Sequence, residues 1–287
     1  MQKVAHIRLI ILAILLAVTT VLWGVVLRES REGILTIAVL DVGQGDAIYI
    51  EAPNGRQMLI DGGPTRSMLS ELSEVMPWYD RSVDVLLVTN PDKDHFGGFI
   101  DLLKSYTVDA VFESGTFPGT QVYTELEKTI ADTGVKKIVA RRGMTIWLDR
   151  DVTLSILYPD RDVSGLSSND GSIVARLSYG NTSVMLTGDT TSGVEKWLTR
   201  LDGADLKSTV LKVGHHGSRT STSPEFVGFV APEFAVISDG ARNRYGHPHK
   251  ETLDTLTKFN VPVFRTDLQG TIVMHSDGER VTIKVEP

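Results

Sequence analysis

Asn90, Asp92, Asp94 and His95 fall within one short stretch, and all are side chains that hold cations or move protons. An apolar run from Val83 to Val88 ends just before them, and Gly97 and Gly98 follow. Side chains on a loop that leaves a strand end can converge on one point. Packing alone does not call for three oxygen-bearing groups and an imidazole so close together. Two later apolar runs end in the same way: Leu186 precedes Asp189, and Val213 precedes His215 and His216. Strand ends along one sheet edge are a natural place to assemble a site from distant sequence. Asp92, Asp94, His95, Asp189, His215 and His216 would form a carboxylate–imidazole set suited to Zn²⁺, Mn²⁺ or Fe²⁺. The chain has no cysteine, so disulfides and thiolate ligands are excluded. Taken singly, these features also have plain readings: Gly-Asp after an apolar run serves ordinary turns, and paired histidines serve as loop hydrogen-bonders.

The elements that would position these residues are short strands and helices in mixed order from Ile34 to Val285. Strands are predicted at Ile34 to Leu40, Ala47 to Ala52 and Met58 to Ile60, the last ending in Asp61-Gly62-Gly63-Pro64. Further strands include Val108 to Phe112, Val152 to Tyr158, Ser183 to Leu186 and Thr209 to Val213. Helices are predicted at Ser67 to Met76, Gly97 to Ser105, Tyr123 to Thr133, Ser192 to Leu201 and Glu251 to Phe259. The series is not a simple βαβ alternation, shows no fixed-period repeat, and has no linker after residue 33. The reading is one domain over 33–287, preceded by a segment over 1–32.

That first segment is apolar from Leu9 to Leu27 apart from Thr19, Thr20 and Gly24. At about 1.5 Å per residue its helix would just span a bilayer core of roughly 30 Å. Lys3, His6 and Arg8 precede it, whereas Arg28, Glu29, Arg31 and Glu32 cancel. The positive-inside rule then puts the amino terminus in the cytoplasm and the domain outside, as a single-pass protein of the cell membrane. A cleaved signal peptide is the runner-up, but the segment lacks a small-x-small cleavage pattern.

The net charge of −7 excludes a wholesale nucleic-acid binder, so any phosphate contact must be local. The most basic short stretch, Ala241 to Lys250, holds Arg242, Arg244, Tyr245, His247 and His249. Cations mixed with an aromatic suit phosphate and base contacts. Lys212 and Arg219 flank the histidine pair and would extend this phosphate-binding lip. His249 reads as solvated, His275 as structural, and Lys136, Lys137, Arg141 and Arg142 as surface charge.

Asn90-Pro91-Asp92-Lys93-Asp94-His95-Phe96-Gly97-Gly98 resembles the metal motif of the metallo-β-lactamase fold superfamily. Asp41-Val42-Gly43-Gln44-Gly45-Asp46, Thr187-Gly188-Asp189, His215-His216-Gly217-Ser218 and Tyr245-Gly246-His247-Pro248 narrow the resemblance. In this order they resemble the extracellular hydrolase domain of competence proteins of the ComEC/Rec2 type. The resemblance covers roughly residues 34 to 285. It implies an α/β, four-layer αβ/βα sandwich, here following an N-terminal transmembrane helix, with one or two divalent ions (Zn²⁺ or Mn²⁺) at one edge. It implies that Asp94 and His95 hold one ion with His215 or His216, that Asp189 bridges, and that Asp92 serves the other ion. Asn90 stands where the family usually has histidine; the superfamily's mid-domain histidine is not apparent, and Asn169 stands where this branch tends to carry asparagine. Gln44 and Asp46 would lie beside the ions, and His247 would be a site histidine. Ser218, Arg242, Arg244 and Tyr245 would meet substrate or support those that do.

The function implied is a membrane-anchored, extracytoplasmic metal-dependent hydrolase that cleaves phosphodiesters such as DNA. Asp92, Asp94, His216 and His247 would carry the reaction, with a separate DNA-uptake channel protein as partner. Two other readings stand beside it. One is an amide or ester hydrolase of the β-lactam type; the other is a catalytically weakened surface module that binds DNA or protein, which Asn90 favours.

Overall fold

The computed structural model describes residues 2–28, 33–77 and 79–285; of the first helix, the described side chains are 6–21, 23 and 24. The chain divides into two units, Met1–Gly33 and Ile34–Pro287. The first carries α1 (Gln2–Arg28), on which every described side chain is exposed. Among the described residues no helix is long and apolar enough to cross a membrane. Glu29, Arg31 and Glu32, and the side chains of Lys3 and Arg28, lie outside the described residues.

The second unit runs β1 (Leu35–Val39), β2 (Ala47–Glu51), β3 (Gln57–Gly62), α2 (Met68–Val75), β4 (Ser82–Val88), α3 (Lys93–Phe96), α4 (Phe99–Leu102), β5 (Thr107–Glu113), α5 (Gln121–Thr133) and β6 (Lys136–Val139). It continues through β7 (Thr145–Trp147), β8 (Val152–Tyr158), β9 (Val174–Tyr179), β10 (Thr182–Leu186), α6 (Ser192–Asp202), β11 (Val210–Lys212), α7 (Pro224–Val230) and β12 (Phe234–Ile237). It closes with α8 (Lys250–Lys258), β13 (Val263–Arg265), α9 (Thr266–Gln269), β14 (Ile272–Ser276) and β15 (Val281–Val285). One sheet has the order β15-β14-β1-β2-β3-β4-β5-β6, and the other β13-β12-β11-β10-β9-β8-β7.

Alternation along the strands makes the layers. In β1, Ile37 and Val39 enter a core shared with Leu154, Leu177 and Val184 of the other sheet, whereas Ala38 pairs outward with the α2–α5 side. Phe96, Phe99, Leu126 and Ile130 cover that outer face. Leu198 of α6, Phe226 and Val227 of α7 and Leu256 of α8 cover the outer face of the second sheet. The inner strands of both sheets are thus buried on two faces, which explains why they read as nearly unbroken apolar runs, whereas the edge strands β6, β7 and β15 expose alternate or more residues. The result is a mixed α/β sandwich of two sheets with helices outside each.

One expectation is corrected at the site. The helix read as Gly97 to Ser105 is two short turns, and the first starts earlier, at Lys93, with extended Asp92 as its N-cap. Asp94 and His95 therefore sit on a helical turn after the strand rather than on a free loop. Gly97 and Gly98 keep ordinary helical φ values; they matter for close approach, since a Cβ on Gly97 would lie 2.2 Å from the Pro64 carbonyl oxygen. Gly45 is tighter in another sense. Its φ is +142°, and an added Cβ would lie 2.3 Å from the Asp94 carbonyl oxygen. That same oxygen accepts the Asp46 N–H at 3.2 Å, which ties the β1–β2 loop to the Asp94 turn. Gly45→Ala is expected to cost about 2–4 kcal/mol, through the unfavourable φ and the displaced turn, read as a lower urea midpoint at unchanged slope.

Candidate metal centre

The strand ends of both sheets supply the site. Asp61, in the last turn of β3, is buried and has a φ of 60°, a left-handed conformation uncommon outside glycine. Its carboxylate accepts the Thr89 N–H at 2.7 Å and the Thr89 hydroxyl at 2.6 Å. It also lies 2.8 Å from His95 Nδ1. A carboxylate on Nδ1 fixes that nitrogen as the donor and turns Nε2 inward with its lone pair available.

The second sheet answers from the other side. β10 delivers Asp189 through Gly188, whose positive φ lets the chain turn past Ser172 and Thr89. After β11, His215 and His216 both take left-handed φ values, 49° and 53°. Strained φ/ψ of this kind persists where surrounding structure imposes it, and it gathers at functional sites. His216 Nδ1 donates to the Ser238 carbonyl at 3.0 Å and lies 3.2 Å from Asp46 Oδ1. Its Nε2 lies 3.5 Å from Asp189 Oδ1 and 3.6 Å from Asp94 Oδ2. His95 Nε2 lies 3.1 Å from Asp189 Oδ2. Ligand atoms of Asp94, His95 and His216 fall within 4.8 Å of one another, as do those of Asp46, Asp189 and His216. His95 Nε2, Asp189 Oδ1 and His216 Nε2 are buried and have no hydrogen-bond partner. Leaving such atoms unsatisfied costs about 1–3 kcal/mol each, so this donor set fits a divalent cation held among them.

Electrostatics reinforce the grouping. Burial works against charge on Asp189, yet His216 and His95 hold its carboxyl far below the usual range. Burial likewise opposes ionisation of Asp94, and His216 and His95 overcome it. Burial opposes charge on His216 too, but Asp189 and Asp46 push its pKa up to about 10. Burial raises Asp92, and with His216 and His215 nearby it lowers His247 to about 4.

Of the residues singled out in the sequence, Asp92, Asp94, Asp189, His215, His216 and His247 line one cavity of about 350 Å³, with Gln44, Lys93 and Tyr245 on its wall. His215 stands further from the cluster, its Nε2 3.8 Å from Asp189 and its Nδ1 3.1 Å from the Thr220 hydroxyl. Arg244 reaches an adjoining cavity, whereas Arg242 is exposed and lines neither. Ser218 is buried and accepts the Thr220 N–H at 3.3 Å, so it shapes the histidine loop. Asn90 is fully buried and bonded to Asn169. His249 is half-buried and accepts the Arg219 N–H.

Lys212 is not part of a cationic lip. It is 2% exposed, and its ammonium lies 2.6 Å from Asp46 Oδ2, because the side chain of this strand-end residue points into the seam between the sheets. Arg219 instead faces Glu251 at 3.9 Å on the surface. Arg142 is not simple surface charge either: its guanidinium bonds the Asp202 carboxylate and the Leu157 carbonyl. Asp61 was missed as a site residue. The signal was present, since the apolar run Met58 to Ile60 ends in Asp61-Gly62-Gly63 just as the other site strands end in ligand-type residues.

The two-sheet arrangement also occurs in solved proteins. The metallo-β-lactamase fold protein YhfI from Bacillus subtilis superposes with a TM-score of 0.57 over 84% of this chain and 100% of its own, at 12% identity. The chain has the metallo-β-lactamase fold. In sequence it is 31% identical to ComE operon protein 3 of Bacillus subtilis over 280 residues, 90% of this chain and 35% of that protein. It is 31% identical to Recombination protein 2 of Haemophilus influenzae over 253 residues, 86% of this chain and 30% of that protein. The chain thus spans about a third of the length of these competence-type homologues. No family model matches it.

His216, with its pKa pushed up to about 10, carries a proton at neutral pH when no metal is bound, and against the effect of burial Asp189 and Asp61 shift His95 in the same direction. A raised histidine stabilises the fold fully below its unfolded pKa, near 6.5, and the contribution disappears as pH rises through the folded value, about 10 for His216. Metal-free protein is therefore expected to lose stability steadily across that window in urea titrations. Adding Zn²⁺ or Mn²⁺ at a pH within it should release protons, read from the buffer dependence of the calorimetric heat. A flat stability profile would remove the assigned protonation.

Proposed function

We propose that this chain is a metal-dependent hydrolase of phosphodiesters, with DNA as the substrate class. The observation that carries the proposal is the convergence of Asp94, His95, Asp189 and His216 on one point, with three buried polar atoms lacking partners, beside a cationic and aromatic wall. A divalent ion held by these four residues would supply Lewis acidity and an activated water at neutral pH. Asp61 would hold His95, and Asp46 with the Ser238 carbonyl would hold His216, in the orientation that presents Nε2.

The remaining groups suit a polyanion. Lys93 lies on the walls of both adjoining cavities, and Arg244 on one. Tyr245, 49% exposed, stacks on His247 at 5.6 Å with the Arg244 guanidinium 4.9 Å above its ring. An exposed aromatic with a cation beside it offers a platform for a base and a partner for its phosphate. Asp92 faces the cavity with its pKa raised by burial, so it takes up a proton more readily than an ordinary carboxylate. His247 is neutral at that pH and can accept a hydrogen bond or proton from the substrate side.

The competence-type homologues support a role in DNA uptake, and the length they carry outside the matched region is where we place a separate channel partner. We further propose that residues 9–27 anchor the chain in the cell membrane, with the hydrolase domain, residues 33–287, outside. The apolar run and the exposure of its described side chains support this. Extraction by detergent but not by high salt or alkaline carbonate is the expected behaviour; release by salt alone would remove the anchor.

The activity is tested with the full chain on bis(p-nitrophenyl) phosphate and on single-stranded DNA, with Mn²⁺ or Zn²⁺ added. Asp94→Ala and His95→Ala should each lower turnover at least about 100-fold on both substrates. Tyr245→Ala should raise KM for DNA roughly ten-fold, in line with about 1–3 kcal/mol per stacked base, and leave the small diester little changed. Turnover of a β-lactam with none of either diester would overturn the phosphodiester reading.

A further inference from the structure

The neighbourhood of Asn90 differs in kind from that of Asp94. Asn90 is 0% exposed. Its amide donates to Asn169 Oδ1 at 2.8 Å, and its own Oδ1 accepts the Asp92 N–H at 2.9 Å. The Ser168 hydroxyl donates to Asp92 Oδ1 at 2.9 Å. The amide oxygens of Asn90 and Asn169 and one carboxylate oxygen of Asp92 thus already accept hydrogen bonds from within the same network, which leaves Asp92 Oδ2 as the oxygen turned to the cavity.

The loop that supplies Ser168 and Asn169 is fixed on its C-terminal side. The Ile173 N–H donates to the Thr89 carbonyl at 2.9 Å, and the Ser172 hydroxyl accepts the Asp189 N–H at 3.0 Å. The Thr191 hydroxyl donates to Asp170 Oδ1 at 2.8 Å. Turning Asn90 or Asn169 toward an ion would break the amide pair, at the fully buried Asn90 and the half-buried Asn169.

The contrast with the Asp94 side is direct. There, His95 Nε2, Asp189 Oδ1 and His216 Nε2 are buried without partners, whereas Asn90, Asp92 and Asn169 leave no such buried atom. Asp92 belongs to none of the carboxylate–imidazole groups of three found among the described residues. An amide oxygen is also a weaker ligand for Zn²⁺ than an imidazole nitrogen, and this one is already engaged. We infer that the chain holds a single divalent ion, among Asp94, His95, Asp189 and His216, and that the Asn90–Asn169 amide pair, braced by Asp92 and Ser168, stands where a second ion would need its ligands. In this arrangement the amide pair is a structural bridge between the two sheets' loops.

The inference rests on the proposed metal-dependent reading of the site, and its test separates the two. Full-length protein is stripped with chelator, loaded with Mn²⁺ or Zn²⁺ and desalted. Bound metal per chain is then measured by plasma mass spectrometry, and the Mn²⁺-loaded form is examined by electron paramagnetic resonance. The expected result is one ion per chain and the spectrum of magnetically isolated Mn²⁺. Two ions per chain, or an exchange-coupled spectrum, would overturn the inference, as would no bound ion. The double variant Asn90→His with Asn169→His should raise the stoichiometry to two and produce exchange coupling. If it folds, by circular dichroism and an unchanged urea slope, yet still binds one ion, the amide pair is not what limits the site. Diester hydrolysis measured on the same samples decides the functional reading independently, since one bound ion without turnover would leave the stoichiometry standing and remove the activity.

Discussion

Three carboxylates, those of Asp46, Asp61 and Asp189, are almost completely buried at one edge of the sandwich, and the structure is arranged around neutralising them. Isolated ionised carboxyls in such a place would be untenable. Each is matched by a cation or a set of donors. Lys212 and His216 face Asp46, His95 and two donors from Thr89 face Asp61, and His95 with His216 faces Asp189. Because the histidines are shared, no partner can move alone. The same constraint explains why Lys212 is spent inside the protein and is unavailable to a substrate.

Each sheet contributes part of this network. Asp46, Asp61, Asp94 and His95 come from the first sheet and its connections; Asp189, Lys212, His215 and His216 come from the second. The hydrogen bonds that join the loops reinforce the pairing of charges. Asp46 N–H reaches the Asp94 carbonyl, the Ser238 hydroxyl reaches the Gly45 carbonyl at 2.7 Å, and the Ser172 hydroxyl receives the Asp189 N–H. The glycine-rich loop at 41–46 thereby acts as the joint between the two halves, a role that a plain hairpin turn would not need.

Much of this was legible in the sequence, because a strand buried on both faces leaves an apolar run whose abrupt polar end marks the sheet edge. Val83–Val88, Leu186 and Val213 each announced the residues that follow them. Identity of partners was less legible. Asp61 reads as the start of a turn, and only the fold brings it to a histidine 34 positions away. Lys212 reads as part of a phosphate-binding lip beside a histidine pair, since nothing local says that the end of a short strand faces the seam. Asn90 reads as a poorer ligand, whereas its amide is committed to Asn169, 79 positions away. The choice between His215 and His216 was also closed to sequence, because both have left-handed backbones and only their ring contacts differ. Charges at 136–142 were read as solvated for the same reason: Arg142 finds Asp202, 60 positions away.

The strand order carries a kinetic consequence. β1 lies between β2 and β14, so Leu35 pairs with Ser276 across almost the whole domain. Pairings this remote impose a large loop-closure entropy, and chains dominated by them fold slowly. The first sheet therefore gains its β14–β15 edge only when the last residues of the chain have been made. Until then the β14-facing edge of β1 is unpaired, whereas the partners of the buried carboxylates, Thr89, His95, Lys212 and His216, all precede β14 in the chain. The partner of β1 on that side is thus drawn from the far end of the domain, so the first sheet closes there late in folding.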